Sequence, residues 1–172
     1  MIYEFEGFKP KLHDTVYIAP GVHIIGNVVI GEYSSVWFNS TLRGDLSTIT
    51  IGRHVNIQDN CVVHVDRDYP TDLGDYALIG HNVVLHGCRV GAGSMIGMGS
   101  VLLDGAVVGG GAIIGADTLV KQHQEIPPRV LAVGSPARVV RDLKQEEIDS
   151  VLHYSREYSK RAQAYRQGLK PL

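Results

Sequence analysis

Residues 73–120 read LGDYAL IGHNVV LHGCR VGAGSM IGMGSV LLDGAV VGGGAI IGADTL V, and an aliphatic residue opens each unit. A small residue or Val usually stands four positions later, and one unit, opened by Leu85, is one residue short. Self-similarity at so short a period is typical of a solenoid, and a six-residue unit is too short for a helix-turn-helix repeat. The pattern therefore predicts a parallel β-helix in which each unit is one short strand and one corner, with its first and fifth residues pointing inward.

The same phase extends from this stretch towards the N-terminus. Units open at Ile18, Ile24, Ile30, Val36, Leu42, Ile51, Ile57 and Val63, before a polar stretch at residues 66–72 interrupts the pattern. More than a dozen units keep one phase with only three slips, which favours the solenoid over an antiparallel β-protein with alternating strands. We predict an all-β fold whose β-helix covers residues 15–120.

The repeat stops after Val120. Residues 121–141 contain three prolines and are interpreted as a connector. A C-terminal α-helix is predicted over residues 142–168, because Asp142 and Gln145 form a capping-box pattern at its start. Its apolar stripe, which would pack on the open side of the prism, consists of Ile148, Val151, Leu152, Tyr158, Ala162 and Tyr165. Residues 1–172 are expected to form a single domain.

Composition excludes several classes of protein. The 20 glycines and the aromatic content of 7% suit a narrow aliphatic interior with tight corners. A net charge of −2 gives no reason to expect nucleic acid or an anionic membrane as a partner. No apolar run approaches the length of about 18 residues that a membrane-spanning helix needs.

The cysteines and the N-terminus bear on the cellular compartment. Residues 1–14 carry charges where a signal peptide would need an apolar core. Cys61 and Cys88 lie far apart in the sequence, and two free thiols suit a reducing cytoplasm. Whether the two cysteines form a disulfide with each other stays open at this point. We expect a cytoplasmic protein.

A set of polar motifs within the repeat resembles the gamma-class carbonic anhydrase family, and most closely its short branch without the long acidic loop. The motifs are Arg43-Gly44-Asp45, Gln58-Asp59-Asn60, and His64 followed by His81-(x)4-His86. The likeness covers nearly the whole chain, including residues 134–141 and the terminal helix. It implies a left-handed coil with three faces per turn, a homotrimer with metal at each subunit interface, and reversible hydration of carbon dioxide to bicarbonate by metal-bound hydroxide.

Three faces per turn allow the histidines to be placed. His64 and His86, like Arg43, hold the second position in units that are three apart, so they should stack at the inter-strand spacing of about 4.8 Å. Asp59 and His81 hold the third position in units of a different face and should stack in the same way. One chain cannot easily bring all three imidazoles to one ion, so a neighbouring chain is expected to supply the third.

Three neutral imidazoles with an open position are a ligand set known for catalytic zinc. We therefore predict that His64, His81 and His86 bind Zn²⁺, with Fe²⁺ or Co²⁺ also acceptable to this set. The remaining histidines are interpreted as surface or corner residues; they are His13, His23, His54, His123 and His153.

The resemblance implies roles for six further residues. Gln58 would orient the hydroxide, and Arg43 and Asp59 would form a salt-bridged pair across the interface. Asp45 is expected to brace Arg43 or its turn. Asn56 and Tyr158 are candidate pocket residues. A purely structural role stays open for several of these residues. Arg43 and Asp59 could form only an interface pair, Gln58 could be only a corner residue, and Tyr158 could serve only in packing.

The chain departs from the fuller family pattern near Asp45. Leu46 and Ser47 stand where the best-studied branch has glutamates, and the loop after His64 offers Asp66, Asp68 and Asp72. The usual proton shuttle is therefore missing or replaced. Since proton export can limit hydration, turnover is expected to be low.

Two other function classes stay open. Related hexapeptide proteins carry out acyl transfer or thioester hydrolysis, and the segment at residues 134–138 fits that wider superfamily as well. An acyltransferase would not need three converging histidines, so metal content discriminates between the two. The other class is a catalytically silent metal-binding protein.

Overall fold

The computed structural model, which describes residues 1–171, arranges the hexapeptide units as a left-handed parallel β-helix of about seven turns with one C-terminal helix. The elements in chain order are β1 (Ile2–Tyr3), β2 (Lys11–Leu12), β3 (Tyr17–Ile18), β4 (His23–Ile30), β5 (Ser35–Val36), β6 (Thr41–Ile51), β7 (Asn56–Ile57), β8 (Val62–His64), β9 (Thr71–Leu73), β10 (Leu78–Ile79), β11 (Val84–His86), β12 (Arg89–Val90), β13 (Met95–Ile96), β14 (Val101–Leu102), β15 (Val107–Val108), β16 (Ile113–Ile114), β17 (Leu119–Val120), β18 (Glu125–Ile126), β19 (Val130–Val133), β20 (Arg138–Asp142) and α1 (Gln145–Gly168).

The strands stack into three faces, named here A, B and C. Face A runs through β6, β8, β11, β14 and β17, and face B through β6, β9, β12, β15 and β18. The long strand β6 continues round the corner and joins these two faces into one sheet. Face C is a separate sheet with the order β3, β5, β7, β10, β13, β16, β19 and β20. All pairs are parallel except β19 with β20.

The residues that open the units fill the interior, as the repeat predicts. Leu42, Val63, Leu85, Leu102 and Val120 form one fully buried column along face A. The fifth residue of most units is buried as well. Cys61 at such a position has its thiol buried, and both cysteines are free. Each buried Leu, Ile or Val adds about 1.5–3 kcal/mol of transfer free energy, so the columns are the main source of stability.

The corners require left-handed backbone. Tyr33, His54, Tyr76 and Arg129 have positive φ along the corner between faces B and C, and Asn39, Asn60, Asn82 and Asp117 along the corner between faces C and A. Asn and Asp tolerate this conformation better than other non-glycine residues because their short polar side chains bond locally. Each unit of about six residues thus ends in one corner of the prism.

Two predicted boundaries are wrong. Residues 121–141 are not a plain connector, because β18, β19 and β20 extend the solenoid into them and place the prolines between strands. The helix begins at Gln145 rather than at residue 142, since Asp142 ends β20. The capping box therefore uses Lys144 and Glu147: the Lys144 backbone N–H donates to Glu147 Oε2 at 2.9 Å.

Helix α1 covers one end of face C. Its residues Ile148, Val151 and Ala162 are buried, and its Tyr158 and Tyr165 pack against the core, as the apolar stripe predicts. Ser155 and Ser159 were not part of that stripe but are also buried. Their hydroxyls donate to the backbone carbonyls of Tyr76 and Tyr33 at 2.7 and 3.0 Å, which fixes the helix to a corner. Across residues 1–171, no helix is long and apolar enough to cross a membrane.

Candidate metal centre

His64 and His86 stack on the outside of face A. The register pairs Arg43 with His64 and His64 with His86 on successive coils, as the face count predicts. The two imidazole rings meet edge to face, with centroids 4.9 Å apart. His64 Nδ1 lies 3.0 Å from His86 Nε2, so one ring nitrogen of each histidine points at the other.

Carboxylates hold the two remaining ring nitrogens. His64 Nε2 lies 2.9 Å from Asp45 Oδ1, and His86 Nδ1 lies 2.5 Å from Asp104 Oδ1. An ionised carboxylate can only accept a hydrogen bond, so the proton of each neutral imidazole is drawn to the nitrogen that faces the aspartate. The two nitrogens that face each other then carry lone pairs.

This arrangement fits a cation. Two lone pairs 3.0 Å apart repel each other unless a proton or a metal ion lies between them. Neutral imidazole nitrogens oriented by aspartates are the donors that Zn²⁺, Fe²⁺ and Co²⁺ accept, and a Zn–N bond is about 2.0–2.1 Å long. The donor set of His64 and His86 therefore suits a divalent ion as two of its ligands.

Asp45 is ionised in this site. Burial alone would raise the pKa of Asp45, but hydrogen bonds from His64 and Arg43 outweigh it and hold that pKa below its ordinary value. The Arg43 guanidinium donates to Asp45 Oδ2. Asp45 thus contacts both Arg43 and His64.

His81 lies on another face. It belongs to the unit of β10 on face C and lies two residues after the end of that strand, where His81 Nδ1 is 2.8 Å from Asp59 Oδ2. This contact agrees with the predicted stacking of Asp59 and His81. Among residues 1–171, no three His, Cys, Asp or Glu side chains of the single chain come together in a group that could hold a metal ion.

A cavity of about 340 Å³ lies beside His81 on face C. Gln58, Leu78 and Tyr158 line it together with Met95 and neighbouring residues of the same face. Gln58 is only 7% exposed. The cavity is mostly apolar with few polar groups, which is the usual character of a small-molecule site.

The structure places the other predicted residues as follows. Asn56 is buried beneath α1, where its Nδ2 donates to Ser35 Oγ at 2.9 Å. Within one chain Arg43 pairs with Asp45 and Asp59 pairs with His81. A pair between Arg43 and Asp59 across an interface stays a prediction.

Sequence reasoning missed Asp104. It stands in the third position of the unit opened by Leu102, three units after that of His86 in the face count. A search of the next coil for carboxylates near the corner would have found it. Its second oxygen lies 3.4 Å from Gln122 Nε2, which ties the carboxylate to the coil after that.

Comparisons with known proteins agree with the geometry. The bacterial transferase hexapeptide family (six repeats) matches residues 9–44 and 70–104. A protein of Methanocaldococcus jannaschii named "Probable carbonic anhydrase" is 51% identical over 145 residues, covering 84% of this chain and 91% of that protein. A Geobacillus kaustophilus protein named "Carbonic anhydrase" is 44% identical over 166 residues, covering 96% of this chain and 91% of that protein.

Solved structures carry the same fold. A hexapeptide transferase family protein from Anaplasma phagocytophilum superposes with a TM-score of 0.92 at 34% sequence identity, covering 95% of this chain and 97% of that one. The similarity thus includes proteins named for transferase chemistry as well as for carbonic anhydrase. The motifs around the three histidines and the identity to the two carbonic anhydrases decide the assignment: the chain belongs to the gamma-class carbonic anhydrase family.

Proposed function

We propose that this protein is a metal-dependent carbonic anhydrase that hydrates carbon dioxide reversibly at a site shared between neighbouring chains. The observation that carries the proposal is the pair of facing nitrogens, His64 Nδ1 and His86 Nε2, each held in that orientation by an aspartate on the opposite ring nitrogen. A site with two ligands from one chain needs a third, and His81 is the remaining histidine with a carboxylate partner of its own.

The surfaces of the faces support a homotrimer. The outward positions of face A are apolar at Val62, Val84, Val101 and Leu119, and those of face C at Met95, Ile113 and Leu131. Face B is mostly polar there, with Asp72, Arg89 and Glu125. Contact between face A of one chain and face C of the next is heterologous, and such contacts form a closed ring when the rotation between chains closes, as the three-sided prism suits. It would bring His81 of one chain towards His64 and His86 of another.

The protein's own residues then have distinct tasks. His64, His86 and the neighbour's copy of His81 would bind the ion, and Asp45, Asp104 and Asp59 would hold the three rings in place. A bound Zn²⁺, Fe²⁺ or Co²⁺ supplies Lewis acidity that makes hydroxide available at neutral pH.

The cavity residues act on the reactants. The Gln58 amide would orient the nucleophile by a hydrogen bond, and the apolar wall with Tyr158 would receive carbon dioxide, which has no net charge. Arg43 is placed to attract bicarbonate electrostatically, because its side chain is about half exposed beside Asp45. The free buried cysteines suit a reducing cytoplasm, where we place the protein.

Metal analysis followed by a hydration assay tests the proposal. Anaerobically purified protein should contain close to one divalent ion per chain and should hydrate carbon dioxide weakly. His64→Ala should lose both while keeping its far-ultraviolet circular dichroism. The matched control is His153→Ala, which removes an exposed imidazole from α1. Full metal content in His64→Ala would sink the site assignment.

Acyl transfer is the second candidate, favoured by the likeness to a hexapeptide transferase family protein. Metal content separates a simple acyltransferase from the proposed enzyme, because that reaction needs no three-histidine centre. A metal-dependent thioesterase would keep the same ligands. Only a comparison of acyl-CoA hydrolysis with carbon dioxide hydration distinguishes it from the proposed enzyme. A protein that holds metal and turns over neither substrate would be a silent metal-binding protein.

A further inference from the structure

Two buried polar atoms have no hydrogen-bond partner within the chain. Among residues 1–171 they are Tyr17 Oη and Asn56 Oδ1, which belong to side chains only 5% and 1% exposed. A buried unpaired polar atom costs about 1–3 kcal/mol, and native proteins leave few such atoms unsatisfied. Two of them in one region call for a common explanation.

The two residues belong to one column on the outside of face C. The strand register pairs Tyr17 with Ser35 and Ser35 with Asn56, so the three side chains follow one another on successive coils. Ser35 Oγ accepts from Asn56 Nδ2 at 2.9 Å and from Trp37 Nε1 at 3.1 Å. Both lone pairs of this oxygen are then in use, and its own O–H proton is free to be donated.

The column runs between two cavities. Gln58 lies two residues after Asn56 on the same side of its strand, and it lines the cavity that also contains His81. At the other end, Tyr17 lines a second cavity of about 390 Å³ together with Tyr165, Arg166 and Leu169 at the end of α1. Polar atoms under the helix therefore lead from the candidate metal centre to the surface.

We propose that Tyr17, Ser35 and Asn56 hold ordered water beneath α1, and that this hydrated column passes protons between the Gln58–His81 cavity and the cavity at the end of the helix. Buried waters typically make about three hydrogen bonds to buried polar groups that have no other partner, which is what Tyr17 Oη and Asn56 Oδ1 offer. The passage rests on the proposed hydration reaction, because that reaction must export one proton per turnover.

The chemistry of the hydroxyls suits a relay. Burial raises the pKa of Tyr17, and the charges of Tyr165 and Asp59 raise it further, so the phenol keeps its proton at neutral pH. A protonated hydroxyl both donates and accepts. As a proton moves outward along the waters, Tyr17 receives one proton and releases another, so it ends unchanged and solvent water takes the proton. Ser35, whose lone pairs are both in use, only donates a hydrogen bond to a water of the column.

Tyr17→Phe tests the proposal, because it removes the hydroxyl and keeps the ring. Tyr154→Phe is the matched control, since it removes a hydroxyl from an exposed tyrosine of α1 that lines neither cavity. The first measurement is the melting temperature of both variants, with and without metal. If Tyr17 Oη binds water, Tyr17→Phe should melt below the wild type, because water-mediated bonds are lost. A melting temperature above the wild type would mean that the hydroxyl is dry, and would overturn the proposal.

The second measurement is oxygen-18 exchange in weakly buffered solution. It separates the interconversion of carbon dioxide and bicarbonate from the release of labelled water, which requires proton transfer. In Tyr17→Phe the release of labelled water should fall by about tenfold or more while the interconversion stays unchanged. Concentrated imidazole buffer should restore the release, a rescue that a purely structural defect would not allow.

The outcomes separate the relay from the proposed function. Unchanged water release in an active Tyr17→Phe protein would overturn the relay. A wild-type protein that takes up metal but does not hydrate carbon dioxide would contradict the proposed function, and the relay with it. The melting temperatures would then still decide whether the column holds water.

Discussion

Asp104 Oδ1 lies 2.5 Å from His86 Nδ1 and fixes which nitrogen of that imidazole faces His64. The carboxylate comes from the next coil of face A, so the repeat itself delivers the group that orients the histidine. Removing such a partner typically lowers metal affinity by about 10–100-fold without removing a ligand.

Asp104→Ala should therefore keep the fold but bind Zn²⁺ about 10–100-fold more weakly, as measured by competition with a chromophoric chelator. The control is Asp72→Ala, which removes a carboxylate from face B that pairs with Arg89 at 3.5 Å. Wild-type affinity in Asp104→Ala would mean that the aspartate does not set the orientation of His86.

Gln58→Ala should lower carbon dioxide hydration by about 10²-fold while the metal content stays at the wild-type level, because the amide is assigned to orient the nucleophile and not to bind the ion. The wild-type rate should rise as the pH passes neutrality. Stopped-flow hydration with a pH indicator measures both. Gln167→Ala, at an exposed position of α1, is the control. Loss of metal together with activity would assign Gln58 to the ligand set instead.

The cysteines should be inert in the folded protein. Burial raises the pKa of Cys61 to about 11 and that of Cys88 to about 12, so neither forms appreciable thiolate at pH 8. A chromogenic disulfide reagent should titrate no thiol in buffer and two per chain in denaturant. Rapid labelling in buffer would indicate local opening of the solenoid, for example of the coil whose Gly80 carbonyl lies 3.1 Å from Cys61 Sγ.

The cap of α1 should make stability depend on acid pH. Hydrogen bonds from Arg141 and from the Lys144 backbone lower the pKa of Glu147 from 4.5 to about 2. A carboxyl whose pKa is depressed by folding contributes stability above its unfolded pKa, and that contribution is lost as the pH falls from 4.5 through about 2.

Glu147→Gln should accordingly lower the urea midpoint at pH 7, and the difference from the wild type should disappear near pH 2. Glu146→Gln, on the exposed neighbour, controls for the loss of a charge in the first helical turn. A difference that persists unchanged at pH 2 would show that the Arg141 contact does not act through the ionised carboxylate.

The repeat made the coils and the stacking of His64 on His86 predictable from the sequence. Aliphatic residues at fixed spacing can be buried together only if the backbone turns at each unit, so the column through Leu42 and Val63 follows from spacing alone. The same spacing placed His81 on a different face from His86.

Contacts that depend on side-chain rotamers were harder to predict from the sequence. Asp104 reaches His86 from another coil, and Glu147 rather than Gln145 caps α1 because Arg141 holds it. The end of the solenoid was placed too early, since β19 and β20 pair through backbone bonds that need no aliphatic repeat. Tyr17 carried no sequence signal, because its unpaired hydroxyl becomes evident only under the packed helix.

The central claim is that one site takes His64 and His86 from one chain and His81 from its neighbour. The most direct measurement mixes two inactive variants, His64→Ala and His81→Ala, by co-expression with different tags and isolates trimers that contain both. An interface that pairs the intact His64 and His86 of the second variant with the intact His81 of the first rebuilds a complete ligand set. We predict that metal content and hydration return in part in these mixed trimers. If verified mixed trimers hold no more metal than either variant alone, the three ligands do not come from two chains, and the shared site is contradicted.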